Sequence, residues 1–214
     1  FDGSFTPIRL GTLAIAYNTR FVKDNPPAEW ADILKPEYKG AFGIANPALS
    51  GTSYMSVSLL KDKFGWEFFE KLKANKAKVG KGAGQVIDDT ASGDLLASLA
   101  VDYITNDQIK IGAQLKLVYP KETPVIPSPA AILKGTEHLA ASQKFIDFLL
   151  SEDGQKIIAN EGTLPVRKGI ELDAKFGMPS LEDAVSRAIP IDYEKLMSEK
   201  EETIKHFTQI LQGR

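Results

Sequence analysis

Cysteine is absent from the 214 residues, which excludes disulfide staples, thiolate metal sites and a cysteine nucleophile. Histidine is scarce: His138 and His206 are isolated from each other and from any carboxylate at ligand spacing, so a structural or exposed role outweighs metal binding. Neither charge dominates. With 26 Lys and Arg against 28 Asp and Glu, the net charge of −2 excludes the basic surface of a nucleic-acid binder. No apolar run reaches the ~20 residues that cross a bilayer, and the stretch 142–150 is interrupted by Lys144 and Asp147. The sequence opens on Phe1-Asp2-Gly3, without an initiator methionine or targeting segment, and reads as a processed form or a fragment.

A chain of this length can bury one large core or two small ones. Residues 10–17 alternate small and apolar side chains before Asn18 and predict a strand leaving through a turn. Pro26-Pro27 sets the start of a short helix carrying Trp30, Ile33 and Leu34, which Pro36 ends. A buried strand over 41–44 leads to Asn46-Pro47, and Ser50-Gly51-Thr52 opens a helix with Val57, Leu60 and Phe64 on one side. Gly65 breaks it, and a second helix from Trp66 carries its lysines on toward Lys78. The glycines of 80–84 relax the chain before a helix over 85–91, a turn at Ser92-Gly93-Asp94 and a buried strand over 95–101. A helix over 104–111, a strand over 115–119, a proline-rich crossing over 120–129 and an extended piece over 130–133 follow. From Glu137 the pattern turns helical, with Ser142, Phe145, Ile146 and Leu149 in one stripe and Ile204, Phe207 and Leu211 in another. This divides the chain into an α/β unit over 11–119 and a mostly helical unit over 120–214, which residues 1–10 join.

In that order the elements carry a family likeness. Tyr17-Asn18 after a strand, Glu29-Trp30-Ala31-Asp32-Ile33-Leu34, Lys35-Pro36-Glu37-Tyr38-Lys39-Gly40, Asn46-Pro47, Ser50-Gly51-Thr52, Ser92-Gly93-Asp94 and Val118-Tyr119-Pro120 come first. The helix over 141–151, Gly154-Gln155 and Leu164-Pro165-Val166-Arg167 complete the set. The chain resembles the carboxyl-terminal two-thirds of a type II periplasmic binding protein, in the group of the ferric-iron, phosphonate, thiamine and sugar-phosphate receptors. The resemblance implies an α/β fold of two lobes joined by crossing strands near Ile8 and Pro127, with the first lobe incomplete. It implies a non-enzymatic receptor, periplasmic or extracellular and lipid-anchored, that captures a small anionic solute or ferric iron for the permease of an ABC importer. The absent amino-terminal segment, or a second copy of the chain, is the further partner expected. No cofactor and no catalytic residue are expected, and no metal ligands are assigned. Two alternatives use the same architecture: a phosphate-handling enzyme, opposed by the lack of a base near Ser50, and a ligand-sensing domain, opposed by the lack of a helix-turn-helix segment.

Six residues are candidate ligand contacts. Ser50, Gly51 and Thr52 offer two hydroxyls and free backbone N–H groups at a helix start, which suits an anion; simple capping explains the same residues. Asp102 and Tyr103 stand at the carboxyl end of a core strand, where open α/β sheets hold ligands. Iron-binding relatives carry adjacent tyrosines near this place, whereas Tyr103 is followed by Ile104. Tyr17 is the sixth, against its reading as a packed aromatic. Gln85 and Asp89 are weaker candidates, and 80–84 resembles a phosphate loop only loosely because it lacks the Gly-Lys-Ser/Thr ending.

Overall fold

The computed structural model describes residues 5–213. A mixed sheet is built around β1 (Phe5–Asn18), β2 (Phe42–Ala45), β3 (Lys78–Gly80), β4 (Ala97–Val101) and β5 (Leu115–Val118), in the order β3-β2-β4-β1-β5. Strands β3, β2 and β4 run parallel, and β1 lies antiparallel to β4 and β5. The period-2 geometry of a strand sends alternate residues of β1 to opposite faces. Ile15 and Tyr17 enter one core with Phe42, Ile44, Leu60 and Phe69, while Ala14 and Ala16 enter another with Ile87, Ala100 and Leu117. Both faces are covered by helices, so the strand reads as nearly continuously apolar. The first face carries α1 (Gly51–Phe64) and α2 (Trp66–Ala74), and the second carries α3 (Ala83–Ser92) and α4 (Asp102–Lys110).

The amino-terminal half of β1 leaves this sheet and pairs with β6 (Val125–Ala131) and β7 (Leu164–Pro165). Thr12 faces Val125 in the second pairing, and the next residue, Leu13, faces Val101 in the first. Beneath this ribbon, Leu10, Val125 and Leu164 meet Ala184 of α7 (Leu181–Arg187) in a small separate core. Helices α5 (Leu139–Leu150) and α6 (Glu152–Asn160) pack on each other beside it.

Two expectations differ from what is found, and a third is met in detail. The second helix stops at Ala74, Lys76 takes a positive φ of 56°, and Lys78 begins β3 instead of ending a helix. The crossing strand expected near Pro127 is β6: Pro127 and Pro129 sit opposite Leu10 and Pro7, where a register shift between Pro7 and Arg9 marks an irregular ladder that tolerates missing N–H donors. The last two helices, α8 (Tyr193–Ser198) and α9 (Lys200–Gln212), do not stay with the region that begins at 120. Phe207 and Leu211 join the core of Ile15 and Phe69, and the Tyr54 hydroxyl donates to the Leu196 carbonyl. Lys61 pairs with Glu199 at 2.5 Å. The apolar stripe of α9 is the reason, because α1 and α2 offer it a buried face.

Candidate functional site

Parallel pairing places the carboxyl ends of β2, β3 and β4 on one edge of the sheet, with Ala45 beside Gly80 and Gly43 beside Ser98. Each strand is followed by a helix, so the amino ends of α1, α3 and α4 open on that edge. The antiparallel register of β1, with Leu13 opposite Val101, brings Arg9 to Thr12 to the same side. Open α/β sheets place ligands outside the carboxyl ends of their strands, where helix amino ends present unpaired N–H groups.

Ser50 caps α1: its hydroxyl accepts from the Ser53 N–H at 3.3 Å and lies 3.0 Å from the Thr52 hydroxyl. Behind the turn, the Ser53 hydroxyl donates to the Ala45 carbonyl and ties the helix start to the end of β2. Gly51 is exposed, and a Cβ built there meets nothing within 4 Å, so packing within the chain does not demand glycine. At α3, Gly82 takes the cap position without a side-chain bond, and Gln85 turns back to accept from the Lys81 N–H at 2.9 Å. Gln85 is thereby committed to the turn. Asp89 lies half-buried along α3, beyond its first turn, and its carbonyl accepts from the Ser92 hydroxyl.

Asp102 is fully buried at the start of α4. One of its oxygens accepts from the Thr12 N–H at 2.9 Å and from the Thr12 hydroxyl at 2.6 Å, and the other accepts from the Tyr103 N–H at 2.7 Å. Burial pushes its pKa up to about 6, against the opposing pull of these bonds and of Arg9. Tyr103 is half-buried, and the Arg9 guanidinium lies over its ring at 4.4 Å from the centroid. Beyond this ring contact the Arg9 guanidinium forms no ion pair or hydrogen bond among the described residues.

Five of the six sequence candidates therefore gather at one edge, and Tyr17 does not. It lies five residues along β1 from Thr12, roughly 17 Å at strand rise, opposite Ala97 at the start of β4. Only 8% exposed, it packs with the core of Trp30 and Tyr38, and burial raises its phenol pKa. His206 stacks on Trp66 at 4.3 Å and His138 is exposed; among the described residues no group of three or more His, Cys, Asp or Glu could hold a metal ion. Arg9 and Thr12 are the site neighbours that sequence reasoning missed. A hydroxyl and a guanidinium flanking the apolar run 13–17 were the available signal.

The architecture is that of a type II periplasmic binding protein. The chain matches the structure of the periplasmic binding protein AfuA from Actinobacillus pleuropneumoniae, solved with exogenous fructose-6-phosphate bound, with a TM-score of 0.78 at 24% identity, over 98% of this chain and 69% of that one. Iron-bound HitA from Pseudomonas aeruginosa matches with a TM-score of 0.73 at 23% identity, over 98% and 70%. Residues 1–195 match the family described as bacterial extracellular solute-binding protein, and the chain belongs to that family. Among curated proteins it is 33% identical over 147 residues to the phosphoglycerate transport regulatory protein PgtC of Salmonella typhimurium, covering 66% of this chain and 37% of that one. An uncharacterized protein of Haemophilus influenzae is 30% identical over 166 residues, covering 72% and 47%. The chain thus spans less than half the length of these curated relatives.

Proposed function

We propose that the edge formed by the amino ends of α1, α3 and α4 binds a small phosphorylated organic anion, which the whole receptor delivers to the membrane permease of an ABC importer. The convergence of these three amino ends beside the Arg9 guanidinium, which has no ion-pair or hydrogen-bond partner among the described residues, is the observation that carries this reading. Backbone N–H groups and the positive ends of helix dipoles favour an anion there, and a guanidinium matches phosphate oxygens two at a time. The names of two relatives agree with the class: PgtC is a phosphoglycerate transport regulatory protein, and AfuA was solved with fructose-6-phosphate. Ferric iron is the weaker ligand, because Tyr103 is the one phenol among the candidate residues at this edge and Asp102 is committed to Thr12. Capture and release are the whole of the proposed activity, with no reaction catalysed. The Ser50 hydroxyl is engaged by Ser53 and Thr52, so it serves as a cap and not as an activated nucleophile.

Ser50, Gly51, Thr52 and Tyr103 are the proposed ligand contacts. Native mass spectrometry of gently purified protein should show a carried phosphate ester, and calorimetry with fructose-6-phosphate and with phosphoglycerate should rank the two. Thr52→Ala should weaken binding by about 1 kcal/mol for a neutral hydrogen bond and by about 3 for a charge-assisted one. Gly51→Trp should weaken it further, since the space it fills is open in the chain itself. Unchanged affinity in both variants, with stability lowered, would reduce the turn to a helix cap.

The open face of α5 is proposed as the seat of the remaining part of the first lobe. These 214 residues cover 69% of the AfuA chain, and α5 has no buried residue although Phe145 and Phe148 are 61% and 46% exposed.

A further inference from the structure

Strand β1 belongs to two ladders, and the change from one to the other falls between two neighbouring residues. Thr12 pairs with Val125 and Leu13 with Val101. At that step the Leu13 N–H goes to the Pro124 carbonyl at 2.9 Å, while the Thr12 N–H and hydroxyl both go to the Asp102 carboxylate. A side chain on α4 thus holds the backbone of β1 at the point where the strand passes from one sheet to the other. Such a carboxylate is costly to bury, so its presence at a strand crossing, as the one buried carboxylate among the described residues, calls for a role.

We propose that Asp102 is the positioning residue of this crossing: through Thr12 it fixes the pivot of β1, and its protonation state sets how readily the pivot opens. Opening separates the carboxylate from Thr12 and lets water reach it, which returns its proton affinity toward that of an ordinary aspartate. In the closed arrangement burial holds the proton more tightly, with a pKa of about 6. Acid therefore favours the closed pivot, and a charged Asp102 above that range favours opening. The charged and titratable groups facing it are Arg9 on β1, which pulls the other way, and Tyr119 beyond β5; from α4 it is met by the Tyr103 backbone N–H. The Tyr119 hydroxyl is buried beside Thr12 and Asp102 without a well-formed hydrogen bond of its own, and burial together with this carboxylate holds its pKa well up. It stays neutral while Asp102 titrates.

Hydrogen exchange of the full chain tests this without any ligand, so its failure is distinct from failure of the proposed anion site. Protection factors of the Thr12 and Leu13 amides, referred to that of Ile44 in the centre of β2, should fall about tenfold between pH 5 and pH 7, as a change of proton affinity of this size implies. Asp102→Asn should abolish that pH dependence. Should Asp102→Asn not fold, Thr12→Val decides: losing a bond that favours the charged form should move the midpoint to higher pH. A flat profile in the native chain, a profile retained in Asp102→Asn, or an unmoved midpoint in Thr12→Val overturns the proposal.

Discussion

Gln155 ties together three segments of the chain. Fully buried, its amide nitrogen donates to the Ile8 carbonyl at 2.8 Å and the Leu149 carbonyl at 2.7 Å, and its oxygen accepts from the N–H groups of Val166 at 2.7 Å and Arg167 at 3.3 Å. One side chain thereby joins β1, the end of α5 and the segment after β7. Gln155→Leu should lower stability by about 3 kcal/mol, since it strands buried backbone groups, and a shift of the urea midpoint measures it. The preceding Gly154 is demanded by space: a Cβ there would lie 2.1 Å from the Phe148 carbonyl oxygen and 3.0 Å from the Leu149 Cα. Gly154-Gln155 was legible in the sequence as a motif, but its purpose was not, because the four partners are fixed only by the fold. Asp102 shows the converse. Its place at the end of a strand was legible, whereas its burial against Thr12 depends on a partner ninety residues away. With a folded pKa of about 6 against an ordinary ~4, the folded chain binds this proton more tightly than the unfolded one. Stability should therefore fall as pH rises from about 4 to 6 and contribute no slope above, a span of about 3 kcal/mol. Denaturant titrations across that range should show the slope in the native chain and not in Asp102→Asn.

At the scale of elements, strong periodicity and chain punctuation made most of the sheet and its helices readable: β1, β2, β4, β5, α1 and α4 follow their patterns. The unread elements share a physical cause, which is stabilisation by partners instead of by local preference. Strand β3 has three residues and exists through its pairing with β2, while β6, which carries two prolines, was expected as a crossing strand from the family likeness and not from its own pattern. Helix α9 was readable as a helix but not as a neighbour of α2, since an apolar stripe says that a face is buried and not where. Its anchor is Phe207, fully buried and edge-on to Phe69 at 5.9 Å. Phe207→Ala should cost about 3 to 5 kcal/mol and should lower the unfolding midpoint reported by Trp66 fluorescence, because Trp66 lies 5.5 Å from Phe69 and stacks on His206 of the same helix. Were α9 to belong with α5 and α6 instead, the signal near Trp66 would be unaffected.

For the whole molecule, the distribution of covered and open surface is uneven. The two cores against the mixed sheet are closed by helices on both sides, while α5 presents Leu139, Phe145 and Phe148 to solvent at 52%, 61% and 46% exposure. Beside them a groove of ≈ 600 Å³ runs between Ala130 to Thr136 and the side of α5 bearing Phe145, Ile146 and Leu149. Apolar patches of this kind mark surfaces that associate, and the helix itself is strongly apolar on the side that a lobe would cover. The 214-residue chain on its own should therefore associate with rising concentration, whereas a chain that supplies the rest of the first lobe should remain monomeric. Phe145→Ser with Phe148→Ser should bring the shorter chain back to a monomer while leaving its unfolding midpoint nearly unchanged, because neither ring is buried. Light scattering across a concentration series reads the outcome: a monomer at every concentration without those substitutions would mean that the exposed stripe has no partner to find.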